Sequence, residues 1–168
     1  MAGVKLQSVD LQVTIFTALF QSRGKLRVSG VLQTFLNDEY KTTLSVMDAE
    51  VTTYDAGGPA LRMSQPEFVI AKPSCEIVVF ETPPAQGTIS FLPHTETVVV
   101  YTDRLAMRGK FYMGTESNIN TFVGATAGSF LVASDISIYP LVPINGEIVA
   151  NGPLALVHKT AIRALHRA

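Results

Sequence analysis

Residues 23–26, Arg23-Gly24-Lys25-Leu26, come back 85 positions later as Arg108-Gly109-Lys110-Phe111. The same offset links Phe16-Thr17 with Tyr101-Thr102, Ala49-Glu50-Val51 with Ser134-Asp135-Ile136, and Tyr54 with Tyr139. A spacing kept over so many residues predicts an internal duplication, in which both copies adopt one fold. Around the first stretch the chain alternates: Leu26 and Val28 fall on one side of an extended backbone, Lys25 and Arg27 on the other. That period of two predicts strands, and it sets the fold class as all-β.

Outward from this pair, short β-type runs are divided by Gly, Pro, Asn and Asp. In the first copy they are 11–17, 25–32, 43–47, 50–54, 68–71 and 76–80, with a turn signal at Asp55-Ala-Gly-Gly-Pro59. The second copy repeats them over 97–102, 109–113, 129–133, 136–139, 146–150 and 153–157. The last stretch, 160–168, allows a helix by its Ala and Leu content, but alignment with 75–80 favours a strand with a frayed tail. Helix signals are sparse. Apolar residues at 31, 32, 35 and 36 mark one face of a short helix, and its counterpart in 115–123 is weaker, so at most one short helix per copy is expected.

Pro83-Pro84 cannot continue a central strand, which places the division there. The expected organisation is a first β repeat over 1–82, a Pro-rich linker over 83–95 with room for an extra strand at 88–92, and a second repeat over 96–168. A lone unit of this size buries little surface. Closing the sheet or packing two copies together protects its edges, so the architecture expected is two tandem, related small β-barrels or half-barrels in contact.

Composition narrows the function. The chain is 47% hydrophobic and 16% charged, with 13 Lys+Arg against 14 Asp+Glu. A near-zero net charge disfavours nucleic-acid binding by bulk electrostatics, and the apolar excess suits a partner subunit. One cysteine excludes an intrachain disulfide and fits a reducing, cytoplasmic location. The start, Met1 to Lys5, leads into polar Gln7, Ser8 and Asp10 without an apolar core, which argues against a secretory signal. No apolar run is long enough for a transmembrane helix.

The order of features resembles an uncharacterised family of small bacterial all-β domains. The residues that carry the likeness are Arg23-Gly24, Leu32 to Asn37, Asp48-Ala49-Glu50-Val51, and Ile70-Ala71-Lys72 with Ile77. In the second copy they are Thr102, Arg108-Gly109, Leu156-Val157-His158-Lys159 and Ile162. The resemblance covers most of both copies and implies a fold, with no activity attached. More loosely, the Gly-bearing strand, the Asp-Ala step and the late apolar-Lys-x-x-Ile strand look like an Sm-like small barrel. The chain lacks that pattern's initial helix and its Asp/Asn-rich RNA-binding loop, so an RNA role is not carried over.

Candidate binding residues are Arg23, Lys25 and Arg27, which share one strand face, and Arg108 and Lys110 with Tyr112 beside them. Two such stripes could clamp a phosphate, an acidic peptide or a single strand, with Tyr112 as a stacking surface. The competing reading is a solvated strand face, neutralised by acids such as Glu50 and Asp135. Arg104 and Arg108 have the spacing of an Arg-x-x-x-Arg cyclic-dinucleotide motif without its downstream Asp/Asn-x-Ser-x-x-Gly. Gly24 and Gly109 mark a bulge or bend.

His94, His158 and His166 are scattered and suit exposed or capping roles. Cys75, at the start of an apolar strand, suits an inert buried thiol. No catalytic set, metal-ligand spacing or cofactor motif is present in the sequence. The expectation is therefore a non-enzymatic structural or protein-interaction module that self-associates or binds a protein partner. Small-ligand or nucleic-acid binding through the basic stripes is the alternative.

Overall fold

The computed structural model describes residues 7–54, 62–114, 118–144 and 146–168. The turn signal at 55–59 and part of the second helix region, 115–117, lie outside the described residues. The chain is all-β. Ten strands form one antiparallel sheet that does not close. They are β1 (Ser8–Phe16), β2 (Phe20–Ser29), β3 (Thr43–Thr53), β4 (Arg62–Ala71), β5 (Ile77–Phe80), β6 (His94–Tyr101), β7 (Leu105–Met113), β8 (Phe130–Pro140), β9 (Asn151–His158) and β10 (Ala164–Arg167). Two short helices, α1 (Leu32–Asn37) and α2 (Phe122–Ala125), interrupt the same connection in each half, after β2 and after β7.

The strand order is β10-β6-β7-β8-β9-β5-β1-β2-β3-β4. Each half repeats one arrangement: its fifth strand, first, second, third and fourth lie side by side. The halves meet where β5 pairs with β9, from Ile77 opposite Val157 to Phe80 opposite Leu154. Instead of two separate closed barrels, the chain builds one continuous sheet, with β4 and β10 at its ends.

Alternation along β5 explains how one sheet serves two cores. Val78 and Phe80 enter a core with Leu26, Val28, Leu44, Val46 and Ile70. Ile77 and Val79 enter the other, with Val98, Val100, Met107, Phe111 and Ile138. Successive side chains on a strand point to opposite faces, so the cores lie on opposite faces of the sheet. Each core draws on both halves: Phe130, Val132, Leu154 and Leu156 from the second half fill the first core, and Phe16 and Tyr54 from the first half fill the second.

The glycines work differently from the sequence expectation. Arg23 faces Glu50 and Lys25 faces Met47, so one residue of β2 opposes two of β3. The bulged residue is Asp48 on the neighbouring strand, held at φ 50°. Asp tolerates this left-handed conformation better than most residues. Gly24 supplies the room, since a Cβ there would lie 2.6 Å from the Met47 carbonyl oxygen. The second half repeats the device with Gly109 and Asp135, also at φ 50°. The runs 43–47 and 50–54 are therefore one bulged strand, as are 129–133 and 136–139.

This geometry corrects the 85-residue alignment. Up to the Arg-Gly-Lys strands the halves correspond at 85, because Val13 faces Gly24 as Val98 faces Gly109. Beyond the helices they correspond at 87: Asp48 matches Asp135, and Leu44 opposite Ile70 matches Leu131 opposite Val157. Tyr54 corresponds to Leu141, since their N–H groups donate to Leu19 and Arg104 carbonyls in the same corner. Tyr139 is instead exposed. The stretch from Gly109 to Asp135 is two residues longer than that from Gly24 to Asp48, and a gapless comparison cannot register the difference.

Two further expected strands are absent. Segment 88–92 lies against α1: Gln33 N–H donates to the Thr88 carbonyl and Ser90 N–H to the Gln33 side chain, while Ile89 is buried in the first core. Segment 146–150 is pinned by the Gln21 amide, which donates to the Glu147 carbonyl and accepts from Val149 N–H. Its backbone is thus held mainly by a side chain. The final segment forms a single turn, Lys159–Ala161, followed by β10.

Candidate functional site

The basic stripes do not converge. Arg23, Lys25 and Arg27 alternate with Gly24, Leu26 and Val28, and the latter two enter the first core. The three cations therefore point away from the first-core face. Arg108, Lys110 and Tyr112 alternate with Met107, Phe111 and Met113 of the second core, which puts them on the first-core face. Opposite faces of one sheet cannot clamp one ligand.

Most of the cations are also engaged. Arg23 Nε lies 2.5 Å from Glu81, Lys25 3.4 Å from Asp48, Arg27 2.9 Å from Asp10 and Lys110 3.0 Å from Asp135. Of the two acids expected, Asp135 is a partner; Glu50 faces Arg23 across the strands and acts on it through its charge, while the ion pair with Arg23 goes to Glu81. The Arg27 guanidinium holds the Asp10 carboxyl below its usual range, and Asp10 in turn raises Arg27. Lys25–Asp48 and Lys110–Asp135 occupy corresponding places, each tying a strand lysine to the bulged aspartate beside it. These pairs are solvent-exposed, so each contributes little to stability. Their main effect is to neutralise the stripes. Arg108 has no ion pair among the described residues, and Tyr112 packs on Phe91 with ring centroids 4.7 Å apart.

A different group of polar residues sits where the halves join. Glu76, just before β5, uses its backbone on both sides: its N–H donates to the Phe16 carbonyl at 2.8 Å and its carbonyl accepts from His158 N–H at 2.9 Å. Its side chain is buried, and Oε2 has no hydrogen-bond partner among the described residues. Burial pushes the Glu76 carboxyl up, while a hydrogen bond with the Thr102 side chain pulls the other way. The Tyr54 hydroxyl is also buried without a partner among the described residues, and its pKa rises through burial and the nearby Glu76 charge. His158 caps the turn after β9, with Nδ1 accepting from Thr160 N–H at 3.3 Å. Burial and the nearby Lys72 charge push His158 down, which disfavours its charged form.

Lys72 and Lys159 hold equivalent corners. Each ammonium donates to a backbone carbonyl, of Asp38 and Thr126 respectively, and burial lowers both pKa values. The apolar-Lys step of the sequence therefore anchors the turn before the fifth strand of each half. Cys75 is fully buried, its thiol pushed up to about 12 by burial, which makes it inert.

A cleft of about 520 Å³ opens beside the seam, lined by 17–20, 68–71, Pro73, Ser74, Glu76, Asp103, Thr160, Ala161 and Arg163. Asp103 and Arg163 pair across it at 2.9 Å. Among the described residues there is no group of three His, Cys, Asp or Glu that could hold a metal ion, and no helix is long and apolar enough to cross a membrane. No motif signals the Glu76–Tyr54–Thr102 group, because its members come from three distant segments. No family model, curated protein or solved structure matches this chain.

Proposed function

We propose that this chain is a non-enzymatic structural module, built by duplication of one small half-barrel unit, that acts by binding protein and foremost other copies of itself. Support for the duplication is the repeated strand order, the paired Gly/Asp bulges and the paired Lys72 and Lys159 anchors. The observation that carries the function is the seam. Joining a fourth strand to a fifth strand merges two half-sheets and completes both cores, and among the described residues one strand of each kind ends the sheet with its outer edge unpaired. An unpaired edge is a template for another chain. Light scattering over a wide concentration range tests this reading. It predicts masses above one chain that rise with concentration; a strict monomer throughout, with no stoichiometric protein partner, overturns it.

Small-ligand or nucleic-acid binding is the second reading, favoured by Arg108 beside Tyr112 and Phe91 on a single face. Titration with a single-stranded oligonucleotide at low salt tests it: saturable binding lost in Arg108→Ala supports it, and no binding ends it.

A further inference from the structure

We infer that β4 of one molecule pairs with β10 of another, head to tail, by the geometry that joins β9 to β5 inside the chain. This deepens the self-association just proposed and rests on it. The two end strands are the counterparts of the two seam strands: β4 matches β9, and β10 matches β5.

The outward-facing backbone groups agree, although the Ala71 carbonyl also accepts from the Cys75 thiol and the Arg167 carbonyl lies 2.7 Å from His166 Nδ1. Lys72 N–H donates to the Thr42 carbonyl, which fixes even-numbered β4 residues as those bonded to β3. Bonding alternates along an antiparallel pair, so the polar groups of Glu67, Val69 and Ala71 face the open edge. On the other end strand, Ala168 N–H donates to the Thr97 carbonyl, which turns Ala164 and His166 toward β6 and leaves Leu165 and Arg167 facing outward. Carrying the seam register across puts Leu165 opposite Val69 and Arg167 opposite Glu67. Every outward group then meets an outward group, and Arg167, which holds Glu96 of its own half at 3.1 Å, meets a second acid in Glu67.

The side chains agree as well. At the seam, Leu154 and Leu156 of β9 leave their own half and enter the first core beside Val78 and Phe80. Their counterparts on β4 are Glu67 and Val69. Val69 is 55% exposed, an apolar residue with nothing to cover it on a free edge. Leu165 packs half-buried against the second core. Pairing would carry Val69 to the rim of a neighbour's second core, as Leu156 reaches the first.

Pro66 is no obstacle. Pro153 holds the corresponding place on β9, immediately before the paired stretch that starts at Leu154, and both prolines lie opposite a bulged aspartate. A head-to-tail contact of this kind builds a ring if the rotation closes and a filament if it does not.

Complementation tests the inference. Val69→Pro removes an outward N–H from β4, and Leu165→Pro removes one from β10; neither N–H is used inside the sheet, so both variants fold. Each variant alone is expected to run as a monomer in native mass spectrometry, because no intact β4 can meet an intact β10. Mixed, they keep one intact β10 and one intact β4 and form a discrete one-to-one heterodimer. Glu67→Arg, an exposed change that leaves the fold intact, places like charges at the contact and weakens wild-type assembly at least tenfold. If wild type is a monomer, self-association itself fails. If wild type assembles but Val69→Pro, Leu165→Pro and Glu67→Arg assemble equally well, self-association stands and this interface is overturned. If the two proline variants do not complement, the head-to-tail arrangement is overturned.

Discussion

β9 and β4 are corresponding strands in unlike surroundings. Both follow a bulged third strand, carry a proline opposite the bulge and end in a lysine-anchored turn. Residues 154–158 of β9 are all buried, whereas in β4 only Ile70 is. The difference lies in the neighbour. β9 has β8 on one side and β5 on the other; among the described residues β4 has β3 alone. Side-chain chemistry follows the neighbour, for Leu154 and Leu156 stand where β4 has Glu67 and Val69. The same backbone thus makes a core strand or an edge strand according to whether a fifth strand lies beside it.

The largest break in that comparison comes from truncation. Leu156→Ala should cost about 3 kcal/mol, because the site is fully buried in a core shared by both halves. Val69→Ala should change the stability of the isolated chain by less than about 0.5 kcal/mol. Urea melts of both variants at low protein concentration check the contrast.

The paired glycines sharpen it next. A Cβ on Gly24 would meet the Met47 carbonyl oxygen at 2.6 Å and Val46 Cγ1 at 2.7 Å, whereas on Gly109 it would meet only Ile136 Cγ2 at 3.0 Å and softer contacts beyond. Gly24→Ala should therefore destabilise by about 2 kcal/mol and Gly109→Ala by about half as much. Equal melting shifts for the two would show that the halves share one bulge environment.

The seam's titrating groups give a smaller effect, in pH. His158 has a lowered pKa, so the unfolded chain binds its proton first and stability falls as pH drops below 6.5. His158→Asn keeps an acceptor for Thr160 N–H and should flatten that fall. Glu76 has a raised pKa, so the folded chain holds its proton longer and stability falls as pH rises from 4.5 through the folded pKa. Glu76→Gln should remove that loss. Thermal melts across pH 4 to 8 check both, roughly spanning the ordinary pKa values of the two side chains.

Much of this fold was legible in the sequence. Alternation at Lys25–Val28 gave the strands, and the Gly24 and Gly109 repeats pointed to a bulge, though the bulged residue is the aspartate opposite. The apolar spacing at 32, 35 and 36 gave α1. What was hidden is non-local. Val78 and Phe80 read as an ordinary apolar run, and nothing local says that their neighbours are Leu154 and Leu156, over 70 positions away. For the candidate site, the cations were found and most of their partners were not. Asp10 could have been, since it stands directly opposite Arg27 once β1 and β2 are folded into a hairpin. Glu76 and Tyr54 carry no motif, because burial alone makes them unusual.

Amide hydrogen exchange followed against protein concentration tests the contrast between β4 and β9 most directly. The account predicts that Leu156 N–H is protected at every concentration, while the N–H groups of Glu67, Val69, Leu165 and Arg167 exchange freely in dilute solution and become protected together as concentration rises. Free exchange at those four positions in samples that have assembled would contradict it.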